Sequence, residues 1–241
     1  MKPTSSLSRL LLAVPLLLLL SGCATIKNGS SPSDPWERFN RPMFAFNEAL
    51  DKAIIKPVAK GYDKVVPAPV NDIITNFFDN IDDLMIAVNN LLQGKVMDSA
   101  RDLGRVALNS TLGIGGFIDV ATDMTFEKHE EDFGQTFARW GFSDGPYVVW
   151  PVFGPRTVRD SFGLAADLPL DPVSWVNPSG VRYGMVAVRK IDDRADLLSA
   201  EKVVEAGAID KYSYLRDAYL QRRNYLIHDS QPPREEELIE E

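Results

Sequence analysis

Few residue types in this chain could do covalent or metal chemistry. Among 241 residues there are one cysteine and two histidines, too few soft ligands for the usual zinc cages. The run His129-Glu130-Glu131-Asp132 looks inviting, but the fourth residue after His129 is Phe133, so it lacks the second histidine of the H-E-x-x-H arrangement. It reads as a charged, solvated turn or helix start. No serine lies in a G-x-S-x-G elbow. Gly113-Ile114-Gly115-Gly116 has the order G-x-G-G, with neither G-x-G-x-x-G nor a following Lys-Ser/Thr, so a tight turn is expected there and not a phosphate cradle. Asn28-Gly29-Ser30 and Asn109-Ser110-Thr111 match the glycosylation acceptor pattern, a match that arises readily by chance. No catalytic residue, metal site or cofactor is expected.

The remaining reactive group is the Cys23 thiol. Lys2 and Arg9 flank an apolar run from Leu10 to Leu20 interrupted by Pro15, which reads as a secretory signal over residues 1–22. As a helix that run spans ~16 Å, about half a hydrocarbon core, which disfavours a permanent membrane span. Leu20-Ser21-Gly22-Cys23 resembles a bacterial lipobox. Such signals are cut before the cysteine, whose thiol receives diacylglycerol. Ala24 rather than Asp follows it, which in lipoproteins of double-membraned bacteria implies export to the outer membrane. Two or three acyl chains at about 0.8 kcal/mol per buried methylene make the anchor effectively permanent.

Charge sets further limits. With 26 Lys plus Arg against 34 Asp plus Glu the net charge is −8, and loss of Lys2 and Arg9 takes it to 24 − 34 = −10. An acidic chain lacks the dense basic face that nucleic-acid binding by counterion release requires, so no nucleic-acid partner is expected. A single cysteine forms no internal disulfide, so the soluble body is expected to hold together by burying apolar surface alone. Small polar residues over 23–33 suit a lipidated flexible tether. Residues 229–241, with six acids, one arginine and Pro232-Pro233, suit a solvated, disordered acidic tail. The folded domain is then 34–228.

Helical periodicity dominates that domain. Val70, Ile74, Phe77, Ile81, Leu84, Val88 and Leu91 recur at alternating steps of four and three, and Ile73, Phe78, Met85 and Leu92 widen the face. Asp72, Asp79, Asp82, Asp83, Asn89 and Asn90 occupy the other side of this helix from Val70 to Gln93, with Gly94 as its cap. Phe39, Met43, Phe46, Leu50 and Ile54 predict a helix ending near Pro57. Further helices are expected over about 96–112, closed by Gly113, and over 182–198 and 210–228. The only good strand run, Tyr147 to Trp150, is broken by Pro146 and Pro151, so the fold class is all-α. Between about 113 and 180 a long irregular region rich in Gly, Pro and aromatics is expected. Within it, the uncharged stretch Gly145 to Pro155 reads equally as a buried crossing loop or as a membrane-facing or channel-lining segment. Trp36 and Phe39 share that ambiguity, tipped toward the membrane by their nearness to the anchor.

Longer strings are more specific. Asp34-Pro35-Trp36-Glu37-Arg38-Phe39-Asn40-Arg41-Pro42-Met43-Phe44-Ala45-Phe46-Asn47 resembles the N-terminal signature of the MlaA (VacJ) outer-membrane lipoprotein family, with mild departures at Pro42 and Phe44. Asn109 through Ala121 resembles a second signature. Glu131 through Thr136 and Gly145-Pro146-Tyr147 through Phe153-Gly154, followed by Arg159-Asp160, resemble a third. The resemblance implies a ring-like helical domain with a central amphipathic channel, held on the periplasmic side of the outer membrane beside a trimeric porin. Its implied work is to remove outer-membrane phospholipids misplaced in the outer leaflet and hand them to a periplasmic lipid carrier of the MlaC type. On that footing the channel or gate candidates are Phe39, Asn40, Met43, Phe46 and Asn47; Gly113, Gly115, Gly116 and Phe117; and Tyr147, Trp150, Pro151, Phe153 and Gly154. Two rivals remain: a phospholipid hydrolase using His129 or His228 as base, and a lipid-anchored envelope scaffold.

Overall fold

The computed structural model describes residues 34–229; the signal, Cys23, the tether and the tail beyond Asp229 lie outside the described residues. Helix α1 (Glu37–Leu50) passes through a π-helical turn (Asp51–Ile55) directly into α2 (Lys56–Val65). The helix expected to end near Pro57 therefore continues. Pro57 falls where the hydrogen-bond register changes, just after Lys56 N–H bonds back to Asp51, and its missing donor is absorbed there. Next come α3 (Ala68–Leu92) and α4 (Val96–Thr111). Pro67 and Pro69 start α3, and Gly94 at φ +82° ends it, with Lys95 N–H reaching Asn90 O (2.8 Å) and Gly94 N–H reaching Leu91 O (3.0 Å).

The stretch 113–180 is far more regular than its composition suggests. It holds α5 (Val120–Asp123), α6 (Phe133–Arg139), an antiparallel pair β1 (Tyr147–Trp150) and β2 (Gly154–Thr157), α7 (Val158–Leu170) and a 3-10 turn (Pro172–Trp175). Side-chain caps start these short helices: Asp119 accepts from Thr122 N–H (3.1 Å), Asp132 from Gln135 N–H (2.8 Å) and Thr157 from Asp160 N–H (3.1 Å). α6 and α7 touch at glycines. A Cβ on Gly163 would lie 2.4 Å from Gly134 N, too close for any side chain. Helix α8 (Ser179–Gly207) outruns its expected span at both ends, and α9 (Lys211–Ile227) agrees within a residue. The fold is all-α with one small hairpin, and among the described residues no helix is long and apolar enough to cross a membrane.

The expectation that apolar burial alone holds the domain together fails. Among the described residues 18 buried side chains are polar or charged and 12 are apolar. On α3 much of the polar side is turned inward: Asn80, Asp83, Asn89 and Asn90 are buried beside Phe78, Ile86 and Ala87, while Val70, Ile73, Leu84, Val88, Leu91 and Leu92 are 37–57% exposed. Helix α4 turns Ser99, Asp102, Arg105 and Asn109, also at helical spacing, against that stripe. The two close antiparallel through Asn90 Nδ2 to Asp102 Oδ2 (2.7 Å), Ser99 Oγ to Ala87 O (2.8 Å) and Arg105 Nε to Asp83 Oδ2 (3.1 Å). Breaking such a buried pair by removing one partner costs about 3–5 kcal/mol. Apolar packing is concentrated elsewhere, around Tyr147, Val149 and Tyr212 with Met43, Phe44 and Tyr219.

Candidate functional site

The first cluster joins α1 to the hairpin. Asn40 Nδ2 donates to Tyr147 O (3.0 Å) while its Oδ1 accepts from Val149 N–H (2.9 Å). Asn47 repeats the pattern one step along, with Nδ2 to Trp150 O (2.9 Å) and Oδ1 from Val152 N–H (2.8 Å). Seven helical residues rise about 10.5 Å and three strand residues about 10 Å, so two amides on one helix face match the free edge of β1. They satisfy it as a neighbouring strand would. The loop they hold is strained: Phe153 N–H bonds to Pro151 O (2.8 Å) across Val152, a β-branched residue at φ +67°. Met43 packs beneath the hairpin, whereas Phe39, Phe46, Trp150 and Phe153 are 42–54% exposed and Pro151 faces outward. Gly154, at φ +76°, starts the return strand. Buried Asp34 ties the base of the cluster together, accepting from Asn40 Nδ2 (2.7 Å) and from the Tyr212 hydroxyl.

The second cluster is the glycine turn after α4. Gly113 is required by close approach, since a Cβ there would meet Ile118 O at 2.1 Å. Gly115 (φ +75°) and Gly116 (φ +91°) are required by backbone conformation. Asn109 and Arg105 fold the turn back on itself: Asn109 Nδ2 donates to Asp119 Oδ1 (2.9 Å), its Oδ1 accepts from Ala121 N–H (2.9 Å), and Arg105 Nη2 reaches Asp119 Oδ2 (2.9 Å). Burial opposes the Asp119 charge, but hydrogen bonds from Thr122, Arg105 and Asn109 outweigh it and hold the carboxyl at about 2. The turn presents Phe117, whose ring centroid lies 5.5 Å from that of Phe77. Together with Ile73, Ile74, Phe78, Met185 and Val188 they line an open apolar cavity of about 320 Å³ between α3 and α8. Polar amides border it. Asn76 Nδ2 donates to Phe117 O (3.4 Å), and Asn80 Nδ2 to Ser110 Oγ (3.1 Å) beside Gly116.

The candidates thus fall into two groups, α1 with the hairpin and the glycine turn with α3 and α8. Periodicity had placed Ile73, Ile74, Phe77 and Phe78 on one face, but the contribution of α8 through Met185 and Val188 carried no sequence signal. The histidines are bound into structure. His129 Nδ1 lies 2.7 Å from buried Asp102 Oδ1, and His228 Nδ1 lies 2.8 Å from Asn224 O on its own helix. A third set of ionic groups locks α9 onto α6 and α7. Arg223 reaches Asp132 (2.7 and 3.0 Å) and Asp160 (2.9 Å), and the Tyr219 hydroxyl donates to Asp160 (2.7 Å). Next to it, burial and then the neighbouring Asp132 push Asp167 up to about 7.

Inverted polarity, an apolar cavity between α3 and α8 and a tethered strained hairpin define a class: a helical protein organised for contact with amphiphiles. The MlaA lipoprotein family model matches residues 32–226, and the chain belongs to that family. It is 36% identical over 227 residues to the intermembrane phospholipid transport system lipoprotein MlaA of Escherichia coli K12, covering 92% of this chain and 88% of that one. The Haemophilus influenzae protein of the same name is 30% identical over 95% of this chain and 92% of its own. A solved chain described as "Structural basis for maintenance of bacterial outer membrane lipid asymmetry" superposes with TM-score 0.71 at 36% identity, covering 81% of this chain and 99% of that chain.

Proposed function

We propose that this protein is an outer-membrane lipoprotein that withdraws phospholipids misplaced in the outer leaflet and passes them inward, so maintaining the difference between the two leaflets. The single observation that carries the reading is the inversion of polarity: a domain that buries more polar than apolar side chains and turns the apolar face of its longest amphipathic pair outward is matched to lipid, not to water. Cys23, acylated, holds it at the periplasmic face of the outer membrane, beside a trimeric porin. The work is transport and not hydrolysis. Each acyl methylene left in water costs about 0.8 kcal/mol, while a charged headgroup is costly in hydrocarbon, so a conduit must offer an oily wall and a polar wall together. The glycine turn supplies that pairing, with Phe117 and Phe77 as a seat for an acyl chain and the amides of Asn76 and Asn80 on the headgroup side. The hairpin held by Asn40 and Asn47 is the gate. Net direction comes from the periplasmic carrier of the MlaC type and from mass action.

The test is transfer in a reconstituted system. Vesicles holding the full lipidated chain and its porin, with a labelled phospholipid, should load the soluble carrier, and vesicles holding the porin alone should not. Equal loading with and without the chain, or no phospholipid copurifying after gentle extraction, would leave only a scaffold.

A further inference from the structure

The π-helical turn between α1 and α2 is gripped from outside by charged side chains of α8. Such a turn places one residue more than usual between donor and acceptor, and here Lys56 N–H closes it on Asp51 O. The same two residues are the ones that α8 holds. Arg194 forks onto Asp51, with Nε to Oδ1 (2.8 Å) and Nη2 to Oδ2 (2.8 Å), and its Nη2 also reaches Glu201 Oε2 (2.6 Å). Glu201 Oε1 in turn takes the Lys56 ammonium (3.1 Å). Asp51, Arg194, Glu201 and Lys56 thus form a closed ring through the backbone bond of the turn itself.

The ring is sensitive to the register of that turn. Five residues of an α-helix rotate the chain by about 500°, which would leave residues 51 and 56 about 140° apart around the axis. The extra residue in a π turn narrows that angle and lets one face of α8 hold both, through Arg194 and Glu201 two turns apart. The four side chains are only 12–22% exposed, so water screens the ring far less than it screens a surface pair. Burial opposes the Glu201 charge, but hydrogen bonds from Arg194 and Lys56 outweigh it and hold the carboxyl at about 2. Arg194 Nη1 is buried without a partner, a cost carried in this register.

What the register controls lies upstream. Asn40 and Asn47, which hold the free edge of β1, stand on the helix that this turn joins to α2. A change of one residue in the turn rotates α1 against α2 by about 100°, enough to carry both amides off that edge. We propose that Arg194 and Glu201 are positioning residues for the hairpin gate, holding Asp51–Ile55 in π register, and that release of this register is the movement that frees the hairpin. The proposal rests on the reading of the hairpin as a gate and adds the hinge and the residues that set it, none of which touches the hairpin.

The experiment uses the full lipidated chain beside its porin in vesicles, with nitroxides on cysteines introduced at exposed positions: Arg38→Cys on α1, paired in turn with Lys190→Cys on α8 and Gln221→Cys on α9. A side chain about 5 Å from the helix axis moves about 8 Å on a 100° rotation, so Arg194→Gln should add a second distance displaced by ~5 Å or more from at least one reference, absent without that substitution. The same variant should raise outer-leaflet phospholipid in cells above the level of the unsubstituted chain. Should Arg194→Gln fail to fold, Glu201→Gln opens the ring while sparing the fork on Asp51, and the same outcome is expected. A folded variant that keeps the single original distance, even with a lowered Tm, shows a merely structural ring and overturns the proposal, as does a second distance with unchanged lipid passage. Transfer to the carrier by the unsubstituted chain separates the two readings: transfer with no second distance in the variant sinks the hinge alone, and a second distance in a system that transfers nothing sinks the transport reading.

Discussion

At the scale of single residues, the glycine turn separates backbone need from steric need. Gly115 has open space around it and a positive φ, so Gly115→Ala meets only the left-handed penalty, roughly 1–2 kcal/mol. Gly116 combines positive φ with Asn80 2.6 Å from any added Cβ. Gly115→Ala should therefore keep the protein near its normal level while reducing phospholipid transfer, and Gly116→Val should lower both; unchanged transfer by a well-folded Gly115→Ala chain would remove the turn from the conduit. Asp167 gives a pH dependence. Its carboxyl moves from 3.8 to about 7 in the fold, so between those values the folded chain binds more protons than the unfolded one, and stability falls as pH rises through that window. Asn in its place keeps an oxygen for Phe133 N–H, 3.3 Å away, and carries no charge. Asp167→Asn should raise Tm by a few degrees at about pH 8 and by clearly less at about pH 5. Thermal melts in detergent at both pH values check this; equal gains at the two would show that ionisation is not the cause.

At the scale of elements, α1 and the hairpin form one mechanical unit because Asn40 and Asn47 replace a missing strand. Deleting Asn47 and Glu48 removes one of the two clamps and rotates all that follows on the helix by about 200° relative to what precedes it. It also removes the Glu48 contact to Lys211 at the start of α9 (2.6 Å). On the proposed gating role, the expected outcome is loss of control over lipid passage, read in cells as phospholipid accumulating in the outer leaflet. Unaltered leaflet asymmetry would detach α1 from gating. Asn109 and Asp119 are the two ends of one lock that closes the glycine turn onto α4.

At the scale of the whole molecule, the proposed role makes the outer apolar face and an acyl anchor at Cys23 separate attachments. Cys23→Ser removes the anchor, while the exposed residues of α3 and the hairpin remain. The purified Cys23→Ser chain should still bind phospholipid vesicles, more weakly than the acylated form and with little dependence on salt, because apolar contact is not screened. Cosedimentation at low and high ionic strength measures this, and a Cys23→Ser chain that stays wholly in solution would mean that the anchor alone holds the protein at the membrane.

Sequence by itself determined the absence of a familiar catalytic motif, the main helices and the family. Those follow from local patterns: the 3.6-residue period and strings that stand unbroken in the chain. Only the tertiary structure decided which side of each helix is the inside. A period says that two faces differ, not which of them meets protein, and on α3 Asp83 and Asn90 turned inward because α4 offers them partners at matching spacing. The hairpin was hidden for the same reason. Its Pro-flanked run is a poor strand alone, and its edge is completed by Asn40, which stands 107 residues from Tyr147 in the chain and two hydrogen bonds from it in space.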